Sequence, residues 1–271
     1  MNKNIIKILV ATLLFCICVA PLCGASVNNY VERQSVEAQI VETQVVSTTN
    51  LKAKNKTIKA KKKNKMEIGY IKSNVNMKKK PKKSSKTIKV VKFNKKIKYK
   101  KYNNKWAIVK YKNKKGYIPL KQIKKKRVKS TTYKTPDSKL MSYMSYRAIT
   151  NTSSNQYKLQ QIAYTGKYGI RQVNGRYCIA VGSYYTTKIG TYIDLILKNG
   201  TTIPCILADC KDDSHTDGNN ILTFDGSLAE FVVDTNSLVY NARYTGDVHN
   251  ACKKWQSNIV KIKIYKKVEK F

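Results

Sequence analysis

Thr202-Ile203-Pro204-Cys205-Ile206-Leu207-Ala208-Asp209-Cys210 is a nearly continuous apolar run that ends on a carboxylate. A run this short between turn formers reads as a strand. The same signal recurs on both sides of it, at Tyr177–Val181, Tyr192–Leu197, Ile221–Phe224, Glu230–Val233 and Ile259–Tyr265, with Gly, Asn and Asp turns between. No long 3.6-residue periodicity intervenes. Residues 159–271 are therefore expected to form one compact all-β barrel domain.

Charge divides the chain unevenly. Its 271 residues hold 54 Lys+Arg against 15 Asp+Glu, a formal net charge of +39. Residues 51–130 carry 33 of the basic residues and a single acid, Glu67, whereas residues 1–50 are neutral and residues 131–271 net +7. A hydrophobic content of 42% excludes a wholly disordered basic tail, and five Pro with 12 Gly exclude collagen-like or Pro-rich architecture. Residues 194–234 reverse the sign, with eight carboxylates against Lys198 and Lys211.

The first 25 residues read as a secretory signal peptide. Lys3 and Lys7 precede the apolar run Ile8–Ala20, and Gly24-Ala25-Ser26 offers a cleavage site after Ala25. An uncleaved anchor is the alternative. No other segment approaches spanning length, so the mature chain is expected outside the cell, without a membrane span and associated with the wall. Residues 26–66 lack hydrophobic periodicity and end in Lys- and Asn-rich sequence, the composition of a disordered, self-repelling linker suited to a polyanion.

Residues 67–129 alternate apolar and polar positions at Ile88–Val90, Ile97–Tyr99, Trp106–Tyr111 and Gly116–Ile118, with turns at Asn103-Asn104 and over 113–116. Ser84-Ser85-Lys86-Thr87-Ile88, then Asn104 through Tyr111, then Gly116-Tyr117-Ile118-Pro119-Leu120 resemble the bacterial SH3 (SH3b) family. That resemblance implies a small SH3-like barrel that binds cell wall, with Trp106, Tyr111 and Tyr117 as the wall-binding aromatics. It departs from the family at Met77–Pro81, where a lysine run replaces the usual Arg-Ser-Gly-Pro turn. Residues 130–158 read as a helical and loop connector, with a helix beginning at Thr135-Pro136-Asp137 and a loop over 151–155.

In the C-terminal region Tyr177-Cys178-Ile179-Ala180-Val181-Gly182, Ile189–Ile193, Ile206-Leu207-Ala208-Asp209-Cys210, Gly218-Asn219 and Glu230–Val233 follow one another in the order of double-psi β-barrels. They resemble the 3D (three-aspartate) domain of wall-lytic proteins and, more distantly, the barwin, expansin and RlpA groups. The resemblance implies a six-stranded double-psi β-barrel that cleaves peptidoglycan glycan strands. Of the family's three aspartates, Asp209 matches the second, Glu230 stands at the third, and Gly182 occupies the first. Asp209 and Glu230 are the expected catalytic pair, with Asp217, His215, Asp234 and Tyr164 as possible support. Such an acid needs a raised pKa, which crowding or burial of Asp209 would supply. Transglycosylation through the sugar's own 6-hydroxyl and hydrolysis with water both stay open.

Plainer roles are open to these residues. Asp212, Asp213 and Asp217 fit a solvated turn, and their rhythm is poor for calcium. His215 and His249 read as surface loop residues, and Asp194 as a hydrogen-bonding strand residue. Outside the cell Cys178, Cys205, Cys210 and Cys252 allow two disulfides in three connectivities, while Cys178 and Cys205 also fit buried apolar positions. Zinc on Cys205, Cys210 and His215 lacks a paired CxxC. No metal or cofactor is expected. The expected partners are peptidoglycan and anionic wall polymers. Against these stand a non-catalytic wall- or glycan-binding protein and an extracellular polyanion or nucleic-acid binder, for which no base-reading motif is visible.

Overall fold

A computed structural model of the chain describes residues 65–138 and 140–271. The expected signal peptide, 1–25, and nearly all of the expected linker, 26–66, lie outside the described residues. The remainder is mainly β, as expected, and is built from two sheets.

The first sheet holds β1 (Glu67–Ile71), β2 (Val75–Lys78), β3 (Thr87–Val91), β4 (Lys96–Lys101), β5 (Trp106–Tyr111), β6 (Lys114–Pro119) and β7 (Ile123–Lys124), in the order β3-β2-β6-β5-β4-β1-β7. Alternation does the sorting here. On β4 and β5 Ile97, Tyr99, Ala107 and Val109 turn inward to join Ile71, Met77, Val91 and Ile118, and the lysines between them face water. Gly116, expected in a turn, lies inside β6 because β2 crosses it closely: a Cβ there would stand 2.7 Å from Met77 Cγ and 2.8 Å from the Lys78 carbonyl oxygen.

The second sheet comprises β8 (Ser130–Ser138), β9 (Tyr143–Ser145), β10 (Tyr164–Thr165), β11 (Arg171–Val173), β12 (Arg176–Val181), β13 (Thr191–Leu197), β14 (Thr202–Cys210), β15 (Ala229–Val233) and β16 (Ile259–Val268). Its main path runs β10-β11-β12-β14-β13-β16-β8, and β15 joins β12 to β9. The β12–β14 and β15–β9 pairs are parallel, in a sheet otherwise antiparallel. Among the described residues neither sheet closes into a barrel. Two short helices, α1 (Asn155–Ile162) and α2 (Tyr240–Thr245), pack beside the second sheet.

The central strands bury both faces. Ile179, Val181, Cys205, Leu207 and Phe231 enter one apolar cluster, and Cys178, Ile206, Ala208 and Val232 enter another on the opposite face. That explains the near-continuous apolar runs, because a strand covered on both sides has no polar face to alternate with. Phe93 from the first sheet belongs to the second of these clusters, edge-on to Tyr192 at 5.0 Å and to Tyr265 at 5.1 Å between ring centres. Beneath it lies buried Arg176, whose guanidinium donates to the Cys205 carbonyl (2.7 Å), the Ile193 carbonyl and the Asp194 carboxylate. The Tyr265 hydroxyl donates to the same carboxylate at 2.7 Å, which fixes Asp194 as the structural hydrogen-bonding residue expected.

Several expectations are corrected. No helix starts at Pro136; residues 130–138 are an edge strand paired to β16, and the register shift between Ile259 and Lys261 leaves Thr135, Pro136 and Asp137 in a bulge, where a missing N–H costs nothing. The loop expected over 151–155 is present over 151–154, and α1, which was not expected, begins at Asn155 with the Ser154 hydroxyl accepting from the N–H of Tyr157 at 3.0 Å. Ile221–Phe224 forms no strand and makes a single bridge, Thr223 to Thr216. His249 is buried, not on a surface loop, with its ring nitrogens 3.1 Å from the Asp247 carboxylate and 3.1 Å from the Ser257 carbonyl.

Among the described residues the four cysteines, Cys178, Cys205, Cys210 and Cys252, are free. Cys178 and Cys205 stand on neighbouring strands but on opposite faces of the sheet, which keeps their thiols from meeting. Both are buried apolar-core residues, and burial pushes the Cys178 thiol up to about 12 and Cys205 well above its ordinary value.

Candidate functional site

Asp209 and Glu230 come together on either side of Ala180. In the parallel β12–β14 ladder Ala180 faces Asp209, and in the antiparallel β12–β15 ladder it faces Glu230. Two strand spacings put their Cα atoms about 10 Å apart. The β12–β14 register slips at this point, so that Ile179 pairs Leu207 while Ala180 pairs Asp209, leaving Ala208 as the extra residue of a bulge. A bulge re-aims the following side chain. Asp209 thereby faces α1, where the Gln156 amide donates to its carboxylate, and the N–H of Cys210 donates to Oδ1 at 2.9 Å.

Burial sets the electrostatics of the pair. Asp209 is raised above its ordinary value by desolvation, opposed by the hydrogen bonds from Cys210 and Gln156. Glu230 is also raised by desolvation; Lys211 opposes the rise, and the charges of Asp209 and Asp225 add to it. Lys211 is a buried cation whose ammonium donates to Thr223 Oγ1 at 3.1 Å, and burial lowers its pKa against the pull of Glu230 and Asp225. The site is thus a half-buried carboxyl pair with a buried ammonium beside one member.

Gln156 also lines a cleft of about 560 Å³ with Asn155, Thr187, Lys188, Ile189 and Glu269 among its walls. Thr187 connects back to the site, since its carbonyl accepts from Cys210 Sγ at 3.5 Å. The Gln156 amide thus joins Asp209 to the wall of this open, polar cleft. Neither Gln156 nor Lys211 was selected from the sequence. Lys211 carried one signal, as one of two cations inside the acidic run, whereas Gln156 carried none because it fell in the connector, just beyond the loop expected over 151–155.

The other expected residues lie elsewhere or serve the fold. Asp217 closes a turn by accepting from the N–H groups of Ile221 (2.7 Å) and Leu222 (3.3 Å). His215 is exposed on the same loop. Asp234 lies at the other end of β15 and pairs with Arg147 at 3.1 Å. Tyr164 is exposed on β10, which reaches β12 through β11 at the Tyr177 end of the strand, away from Ala180. The zinc alternative fails on geometry. Cys205 is sealed in the core while Cys210 points to Thr187, and no metal-holding group of His, Cys, Asp and Glu occurs among the described residues.

Gly182, at the expected first aspartate position, is enclosed by the 211–226 segment. A Cβ added there would lie 1.9 Å from the carbonyl oxygen of Asn220. On the first sheet Trp106 and Tyr117 share the outward face, where Tyr117 packs edge-on to Tyr102 at 5.2 Å. Tyr111 turns the other way and packs against the sheet's core. Compared with family models, with curated proteins and with solved structures, the chain matches none of them.

Proposed function

We propose that the chain is an exported, wall-associated protein that cleaves peptidoglycan glycan strands with the Asp209–Glu230 pair. In this reading the second sheet is a double-psi-like domain, a reading supported by its parallel β12–β14 pair, and the first is an SH3-like module that holds the protein to the wall. The observation that carries the proposal is the placement of two half-buried carboxyls, both raised in pKa, on either side of Ala180 beside a polar cleft.

Asp209 accepts two hydrogen bonds that favour its charged form, while on Glu230 burial favours the neutral form, the Lys211 ammonium opposes it and the carboxylates of Asp209 and Asp225 add to it. We take Glu230 as the proton donor and Asp209 as the ionised partner, the reverse of the assignment expected from sequence, because Asp209 holds the two hydrogen bonds that favour a carboxylate. Glu230 gives its proton to the leaving glycosidic oxygen as the C–O bond breaks. Asp209 takes the proton of the sugar's 6-hydroxyl as its oxygen closes on the anomeric carbon, giving an anhydro end without consuming water.

Digestion of purified peptidoglycan by residues 26–271, followed by product masses, tests this. Anhydro-ended fragments are expected, with Asp209→Asn lowering their release at least about 100-fold while the fold is kept. Wild type and mutant that are equally inert across substrates and pH overturn it. The second reading, a wall-binding protein without cleavage, is favoured by Gly182, where the Asn220 carbonyl excludes any side chain. Co-sedimentation with walls and no soluble sugar would select it.

A further inference from the structure

The chain between the two sheets carries a feature that neither the carboxyl pair nor the outward aromatics use. Lys124, Lys126, Arg127, Lys129 and Lys266 line a cleft of about 320 Å³ with Val128 at its base. No acid lines it, and among the described residues none of the five cations is ion-paired with a carboxylate. Its floor is held in place. The Asn94 side chain donates to the Val128 carbonyl at 3.0 Å and accepts from the Val128 N–H at 2.9 Å, and the Lys129 carbonyl accepts from the Lys266 N–H at 2.9 Å. Val128 itself packs into the apolar cluster that holds Phe93.

Five like charges gathered within one cleft repel one another, and a bound anion removes that repulsion. Because the backbone beneath is already pinned, binding orders little besides the side chains. We propose that this cleft is a binding site for the phosphate groups of an alkyl phosphodiester polymer of the cell wall. The proposal rests on the reading of residues 67–129 as a wall-holding module, and assigns the anionic contact to the junction rather than to Trp106 and Tyr117. A single-stranded nucleic acid is the less suited occupant, since no aromatic ring lines the cleft to stack a base.

The test compares two variants of residues 26–271 that lose equal charge. One carries Lys126→Ala, Arg127→Ala, Lys129→Ala and Lys266→Ala; the other carries Lys79→Ala, Lys80→Ala, Lys82→Ala and Lys83→Ala in the exposed turn between β2 and β3. Binding to poly(glycerol phosphate) and to single-stranded DNA of matched phosphate number is measured at physiological salt. The cleft variant is expected to lose at least tenfold in affinity for the polymer and the turn variant no more than threefold, with wild type preferring the polymer to DNA. Equal losses in the two variants, or tighter binding of DNA, overturn the proposal. Should the fourfold cleft variant fail to fold, Lys126→Glu alone, on exposed chain, reads the same site and is expected to weaken polymer binding more than Lys82→Glu does. Cleavage of peptidoglycan stripped of anionic polymer is measured alongside and is expected to be unchanged in the cleft variant. Failure of the cleft therefore leaves the carboxyl pair standing, and an inert carboxyl pair leaves the cleft standing.

Discussion

Strands β4 and β5 interleave lysine with apolar residues and bury one face, whereas β12, β13 and β14 bury both faces and hold their charged groups in specific pairs. The first sheet thus keeps a small core and leaves its charge to solvent. The second encloses Arg176 with Asp194, His249 with Asp247, and Lys211 near Glu230. Charge has different consequences in the two settings. In water it sets where a molecule adheres and is screened by salt, while in a dry interior each charge needs a partner and can be tuned for chemistry.

The comparison breaks most readily at Arg176. Truncating it removes one member of a buried ion pair and two hydrogen bonds to strand carbonyls, so Arg176→Ala is expected to cost about 3–5 kcal/mol of unfolding free energy in denaturant titration. Lys98→Ala, on the exposed face of β4, is expected to stay within about 0.5 kcal/mol. Similar costs at the two positions would remove the distinction between the sheets.

Phe93 asks whether the sheets are energetically separate at all. Its ring leaves the first sheet to fill a site between Tyr192 and Tyr265, against the Arg176 guanidinium. Phe93→Ala is expected to cost about 3 kcal/mol and to split one unfolding transition into two, the first sheet melting first. A single unshifted transition would mean that the ring couples nothing.

These contacts mark where the sequence was readable and where it was not. The strands of the second sheet's centre were legible because burial on both faces leaves an apolar run, and those of β4 to β6 because burial on one face leaves an alternation. β3 was located, but the alternation Ile88–Val90 turned Val90 inward where Val91 is the buried residue. β1 and β2 were passed over, as Gly69 interrupts the apolar pattern of the first and Asn76 and Lys78 dilute that of the second, each only four or five residues long. Pro136 signalled a helix start but sits in an edge-strand bulge, a choice made by β16 across the sheet and invisible locally. Asp209 and Glu230 were legible as lone carboxylates closing or opening apolar runs. Their neighbours were not, because the bulge at Ala208, which turns Asp209 toward Gln156 of α1, depends on the pairing of β14 with β12, distant in sequence. The same holds for Gly182: only the folded 211–226 segment explains why no side chain fits there.

The smallest expected effect concerns the cost of the site itself. Glu230 is raised above the ordinary 4.5 of a glutamate chiefly by burial, so its ionised form is less welcome in the folded state than in the unfolded chain. In the window between the ordinary and the raised value the folded state binds the extra proton, and stability therefore falls as pH rises through it. Asp247 and Glu269, held low despite their burial by hydrogen bonds from His249 and from Tyr192 respectively, act oppositely in a lower window, losing their contribution as the pH drops. Glu230→Gln keeps the shape and removes the titration. It is expected to be more stable than wild type at pH 7, with the gap closing toward pH 4, as measured by denaturant midpoints across that range. A gap independent of pH would assign Glu230 a packing role, whereas a closing gap together with lost glycan cleavage would show a carboxyl kept at the fold's expense, the signature the solvent-facing lysines of the first sheet should lack.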